Sequence, residues 1–163
     1  MTSTEQYIRR LAELKPGDLG LLRSHSDRGL DESVLGFDLF AGLWWPLRQT
    51  SARAPRREVA WLIAKLYAHR PLEHQPGRDL AAQLGRCRPR EERARHRFDQ
   101  WFDRLLTLSL DQIEPTLRRS LNILHNHDRG CDWVRLTDDL SAWEKEHIRL
   151  EWAHAYLQLD ERG

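Results

Sequence analysis

Apolar residues in this chain recur at intervals of three and four, and no stretch alternates apolar with polar long enough to argue for a strand. A chain with that single period hides its apolar faces helix against helix, so the expected class is all-α. The clearest instance is residues 55–70, "PRREVAWLIAKLYAHR". Val59, Trp61, Leu62, Ile63, Leu66 and Tyr67 make this helix apolar on most sides, so it should be central. Pro55 suits its first turn, where a missing N–H costs nothing.

Breaks at Pro and Gly divide the remainder. A first helix is expected from Thr4 to Leu14, stopping at Pro16–Gly17. Asp18 can cap a short second helix through Arg23, and Asp31 a third through "ESVLGFDLFAGLWW", ending at Pro46. Beyond the loop "RPLEHQPGRD", helices are expected at 79–85, from Pro89 to Leu108, from Glu114 to His127, after a cap at Asp132, and from Ser141 to Leu159. The expected architecture is about eight helices in two packed, bundle-like parts, 1–70 and 78–163, within a single domain. The 163 residues, 40% apolar and with seven Trp, are enough to fill such a core.

No apolar run approaches the roughly 20 residues that span a bilayer. The opening "MTSTEQYIRRLAEL" lacks the basic-then-apolar order of a secretory signal. Two Cys make neither a disulfide framework nor a Cys-rich zinc pattern. The expectation is a cytoplasmic protein without a membrane partner.

Residues 117–140 include His125, His127, Asp128 and Cys131, residue types that bind metals elsewhere. His125 and His127 are two apart on a helix and diverge by about 160°, whereas a helical metal pair wants a spacing of three or four. His127 and Asp128 could still serve a small His-Asp metal-dependent phosphohydrolase. The stronger reading is structural: a helix end near His127, a turn over 128–130, and a cap at Asp132. No catalytic residue, metal or cofactor is expected.

The formal charge of +1 hides an asymmetry. Residues 48–70 carry a net +5 and 86–97 a net +4, while 128–163 carry −4. The bases are 23 Arg against three Lys, and the Arg fork suits phosphate. On the expected helix 89–108, Phe98, Trp101, Phe102, Leu105 and Leu106 form one apolar stripe. Arg90, Arg93, Arg97 and Arg104 fall within about 60° on one flank, a row about 21 Å long. None of the four has an acid three or four residues away, whereas Arg95 can reach Glu91, Glu92 and Asp99. An ordinary solvated helix mixes its signs, so a polyanion is the expected partner of the row. Arg53, Arg56 and Arg57 lead into the central helix, whose free N–H groups would join them at a phosphate. An acidic protein surface is the alternative partner, which would make the chain an Arg-rich interaction module.

The segment "TLRRSLNILHNHDRGCDWVRLTDDLSAWEKEHIRLEWAHAYL" resembles the small subunit of the type I-E CRISPR Cascade surveillance complex, the CasB family. The shared features are Leu117-Arg118-Arg119, Asp132-Trp133, Leu136, Asp139-Leu140, Trp143, and Trp152 with Tyr156. Arg23 before "FDLFAGLWW", and Pro55-Arg56 before a buried helix, are similar too. The resemblance covers most of the chain, most weakly at 71–96. It implies a non-catalytic, all-helical subunit of an antiviral complex. Its partners would be the other Cascade subunits, the guide RNA, the target and non-target DNA strands, and a second copy of itself, and its basic residues would stabilise the opened R-loop. By motif position it implies Arg23, Arg56, Arg118 and Arg119 as nucleic-acid contacts. Arg118 and Arg119 stand 100° apart, so one could be a structural ion pair while the other binds phosphate. Trp133, Trp143 and Trp152 are expected in the core.

Overall fold

The computed structural model describes residues 1–30 and 34–157. Nine helices run through them, one more than the approximate count expected: α1 (Ser3–Ala12), α2 (Pro16–Arg23), α3 (Val34–Thr50), α4 (Arg57–His69), α5 (Leu80–Arg86), α6 (Glu92–Leu105), α7 (Glu114–Asn126), α8 (Trp133–Ser141) and α9 (Glu146–Leu157). The class is all-α, and an isolated bridge pairs His74 with Cys131. The backbone forms two compact units, Met1–Pro71 and Leu72–Gly163.

In the first unit α4 is the core. Val59 through Leu66 are all buried, and the helix meets α2 and α3. Tyr7 of α1 donates its hydroxyl to the Ala60 carbonyl at 2.6 Å. Trp61 Nε1 and Lys65 Nζ both donate to the Arg28 carbonyl, at 2.9 and 2.8 Å. Lys65 is therefore buried as a donor to backbone, with its ammonium 5.2 Å from the Trp61 ring centroid.

Four expectations in this unit change. Pro55 does not lie in the first turn of α4 but precedes its N-cap, Arg56. Pro16–Gly17 opens α2 instead of merely closing α1: Lys15 is the N-cap and Pro16 the first helical residue, where its missing N–H is harmless. Asp18 consequently lies in the first turn and is not the cap. Pro46 does not end α3, which continues to Thr50. The extra turn is held by buried Leu47 and by Thr50 Oγ1 donating to the Pro46 and Leu47 carbonyls. Asp31, the expected cap of α3, lies outside the described residues.

In the second unit α5 packs on α9 and α7. A side chain at Gly85 would overlap the Tyr156 carbonyl, so only glycine allows α5 this close to α9. Trp133, Trp143 and Trp152 are buried, as expected. Their indole N–H groups donate to the Leu72 carbonyl, the Leu108 carbonyl and Asp139 Oδ2, at 2.9, 2.8 and 2.8 Å.

The stretch 72–79, which reads as a loop between two parts, is fastened to the start of α8. Gln75 N donates to the Cys131 carbonyl at 2.9 Å and Asp132 N to the Arg78 carbonyl at 2.8 Å. Gly77 N donates to Asp132 Oδ2 at 2.9 Å. A Cβ at Gly130 would collide with the Glu73 carbonyl and the Gln75 side chain, so this docking also depends on glycine.

Helix α6 starts at Glu92 and not at Pro89. Glu91 is its N-cap, accepting from Arg93 N and Ala94 N at 3.0 and 2.7 Å. Arg90 thus precedes the helix and drops out of the helical row of Arg. The expected last helix begins at Glu146 instead of Ser141, and Leu159 lies outside the described residues.

Candidate nucleic-acid interface

The polar stretch at 125–132 is built as punctuation. His127 is the C-cap of α7, Asp128 takes the left-handed conformation (φ 54°), and Arg129 N donates back to the Leu124 carbonyl at 2.9 Å. Asp132 caps α8 by accepting from Arg135 N at 2.9 Å. His125, His127 and Asp128 are exposed while Cys131 is fully buried. Burial, and then the charge of Asp132, raise the Cys131 thiol far above its ordinary pKa. No group of three His, Cys, Asp or Glu side chains suited to a metal occurs among the described residues.

The expected phosphate contacts of the first unit are partly engaged by the protein itself. Arg23 is exposed, yet its Nη1 donates to the Ala68 carbonyl near the end of α4 at 3.1 Å. Arg48 folds over the loop that follows α3 and donates to the Ala52 and Ala54 carbonyls at 3.1 and 2.8 Å. Arg53 is exposed on that loop, and Arg56 is the half-buried N-cap of α4, with no side-chain cap bond to the helix. Arg57 lies 3.9 Å from Glu58, both side chains largely in water.

The second unit is arranged differently. Asp99 of α6 receives Arg88 through two donors, Nε and Nη2, each at 2.9 Å, and also the Tyr156 hydroxyl. Burial alone would raise the Asp99 pKa. The Arg88 and Tyr156 hydrogen bonds, with the charges of Arg88 and Arg95, hold it below the ordinary carboxylate value. The Tyr156 hydroxyl is pushed in the opposite direction by burial and by its bond to Asp99. Phe102 stacks on Tyr156 with centroids 3.9 Å apart. One side of α6 is thereby tied to α9.

The other side borders a groove of about 700 Å³ shared with α7. Phe98, Trp101, Arg97 and Arg104 line it from α6, and Arg119 and Thr116 from α7. Arg119 stands with its guanidinium carbon 5.3 Å from the Trp101 ring centroid, in cation–π range. Arg118, its neighbour, pairs with Glu114 one turn earlier at 3.3 Å. The consecutive pair therefore divides: Arg118 has a structural ion pair and Arg119 faces the groove. Among the described residues Arg93, Arg97 and Arg104 form no ion pair. Arg97 does contribute, after the backbone N–H groups of Ala94 and Arg93, to holding the Glu91 carboxyl below its ordinary pKa.

The row of Arg expected from periodicity is thus regrouped. Arg97 and Arg104 reach the groove and are joined by Arg119 from another helix, while Arg90 and Arg93 do not line it. Phe98 and Trp101 belong to the expected apolar stripe, but only Phe102 and Leu105 are buried there. The signal for the other two rings was the Arg at 97 and 104 interleaved with rings at 98 and 101, a pattern suited to stacking beside phosphate.

Three comparisons bear on this geometry. The profile of the family described as "CRISPR-associated protein Cse2" matches residues 18–157. A curated relative from Thermus thermophilus, "CRISPR-associated protein Cse2", is 33% identical over 106 residues, 64% of this chain. That match spans 59% of the relative's length. Among solved structures, M. ruber CasB superposes with a TM-score of 0.77 at 22% identity, over 99% of this chain and 96% of that one, a likeness of fold. CasB from Thermus thermophilus gives 0.69 at 26% identity, over 96% of this chain and 98% of that one.

Proposed function

The chain belongs to the CRISPR-associated Cse2 family, whose solved relatives carry the name CasB, and from that premise we propose that it is a non-catalytic nucleic-acid-binding subunit of a Cascade effector complex. It acts beside the other Cascade subunits and a second copy of itself in the cytoplasm. There it stabilises the guide RNA–target DNA R-loop and the displaced strand. The whole chain works as one small-subunit domain, with 1–70 and 78–163 as its two helical parts. The observation that carries the reading is the groove, where Arg97, Arg104 and Arg119 gather around half-exposed rings. Phosphate contacts from guanidinium groups position a strand without reading its sequence, as a subunit that accepts any displaced strand requires. Arg23, Arg53, Arg56, Arg57, Arg90 and Arg93 supply further phosphate contacts, and Arg118 holds Arg119's helix turn in shape.

The test is a salt titration. The full chain should bind single-stranded DNA of unrelated sequences equally, with log affinity falling by about 0.7 per phosphate neutralised for each unit of log salt. A complex assembled with guide RNA should lose displaced-strand protection when this chain is left out. Binding indifferent to salt would instead favour docking on a protein surface.

A further inference from the structure

The seven tryptophans fall into two groups. Trp44, Trp61, Trp133, Trp143 and Trp152 each donate the indole N–H to an acceptor in the protein, at 2.6–2.9 Å. Among the described residues Trp45 and Trp101 make no such bond. Trp45 is half-exposed on α3, with Trp44 as its ring neighbour. Trp101 sits inside the groove, with Phe98 beside it at 5.3 Å and three Arg along the walls.

A buried indole normally finds a partner for its N–H, because leaving that group dry and unpaired costs stability. Five of the seven obey the rule and are explained by the fold. Trp101 faces an open space of about 700 Å³, within the roughly 300–1,000 Å³ typical of small-ligand sites. The walls carry positive charge without an acid paired to Arg97 or Arg104, so the occupant that fits is anionic and flat. A protein carboxylate would satisfy the charge but leave the rings uncovered. A nucleotide of an unpaired strand satisfies both, its phosphate on the guanidinium groups and its base against the aromatic surface.

We propose that Trp101, with Phe98 beside it, is a stacking platform for an unpaired nucleobase, and that Arg97, Arg104 and Arg119 hold the flanking phosphates. This rests on the nucleic-acid reading above and narrows it to single strands with exposed bases. A duplex, whose bases are already stacked on one another, gains nothing from the platform. Trp101 acts by contact with the base. Arg119, already over the ring, contributes both to the phosphate site and to the orientation of the indole.

The experiment compares two oligonucleotides of equal length and charge, oligo-dT and the same backbone with abasic sites, on the full chain and on W101A and W101L. The wild type should bind oligo-dT more tightly than the abasic strand by about 5-fold to 150-fold, the range of one stacked base. Both variants should bring that ratio close to one while keeping the slope of affinity against salt. R97A should flatten the slope and keep the ratio. Equal binding of the two strands by the wild type, or a ratio that survives in both variants, would overturn the platform. That outcome would assign the groove to phosphate or carboxylate alone. Failure of both strands to bind at low salt would instead overturn the nucleic-acid reading itself. Should both variants fail to fold, the wild type still decides. Photocrosslinking to a 5-bromouracil oligonucleotide should label the tryptic peptide 98–104, which contains Trp101 as its only Trp. A crosslink confined to other peptides would count against the platform.

Discussion

The two Arg-rich stretches, 48–70 and 86–97, carry nearly the same net charge, +5 and +4, and the structure employs them in opposite ways. In the first, the guanidinium group of Arg48 serves the protein's own backbone, while Arg53 and Arg57 stay exposed away from any groove among the described residues. Arg48 reaches two carbonyls of its own loop, and Arg23, from the same unit, reaches the carbonyl of Ala68. In the second, Arg88 is consumed by Asp99 while Arg97 remains at the edge of an aromatic groove without an ion pair. Charge density along a sequence therefore does not locate an interface. What decides is whether acceptors stand within reach once the chain has folded.

That contrast breaks most directly under charge removal. The triple variant Arg97→Ala, Arg104→Ala, Arg119→Ala should lower single-strand affinity at least tenfold at low salt and flatten the salt slope by about 2 units. Its melting temperature should stay within a few degrees, since none of the three holds an ion pair that the fold needs. Arg53→Ala with Arg57→Ala should flatten the slope by about 1.4 units at most. An equal or larger effect from this second pair would reverse the ranking of the two units.

Arg88→Ala probes what the second unit does with its engaged guanidinium. It should destabilise the protein by about 1 kcal/mol, a value reduced from that of a buried charged pair because Asp99 keeps contact with water. For a chain of this length that corresponds to about 3 °C in melting temperature. Because the Asp99 pKa is depressed in the folded state, its contribution is present above the ordinary carboxylate value and lost as pH falls through the depressed one. Thermal melts of wild type and variant should therefore differ near neutral pH and converge in acid, once the pH has fallen below the depressed value. A gap that persisted in acid would mean that Arg88 acts through packing on the Tyr156 ring, 5.4 Å from its centroid.

Smaller effects sharpen the division between the adjacent Arg118 and Arg119. Arg118→Ala should cost about 0.5 kcal/mol through its pair with Glu114 and leave the salt slope unchanged. Arg119→Ala should do the reverse, flattening the slope by about 0.7 with little change in melting temperature. Smallest of all, His127→Ala and Asp128→Gly should leave binding within about threefold of wild type. Asp128→Gly should also be neutral or slightly stabilising, because Gly adopts the left-handed turn without strain.

What could be read from residues alone was whatever depended on local rules. The all-round apolar pattern of 59–67 required a central helix, Asp132 offered a cap in the right place, and the C-terminal tryptophans fell on buried faces. What failed were rules with competing solutions. Pro89 looked like the first residue of a helix, but Glu91, a residue type outside the usual caps, reaches two backbone N–H groups and starts α6 at the next residue. Pro46 looked like a stop, but a buried Leu47 just beyond it rewards one more turn. The groove lay beyond local rules altogether, because it needs Arg119 from a different helix. The interleaving of Arg and aromatic rings at 97–104 was its only trace in the sequence.

The fastening of residues 72–79 onto the start of α8 has an entropic consequence. Gly77 and Asp132 are 55 residues apart in the chain, and Leu72 and Trp133 are 61 apart. Bringing such ends together from a disordered chain costs about 3.5 kcal/mol in closure entropy, beyond a constant. Helices α5 to α7 shorten that path once they form. The closure cost of the clasp is therefore smaller in a chain whose helices α5 to α7 are already formed than in a fully disordered one. A stretch that looks like a passive tether is in effect a long-range crosslink within the second unit, made of hydrogen bonds between residues 55 and 61 positions apart.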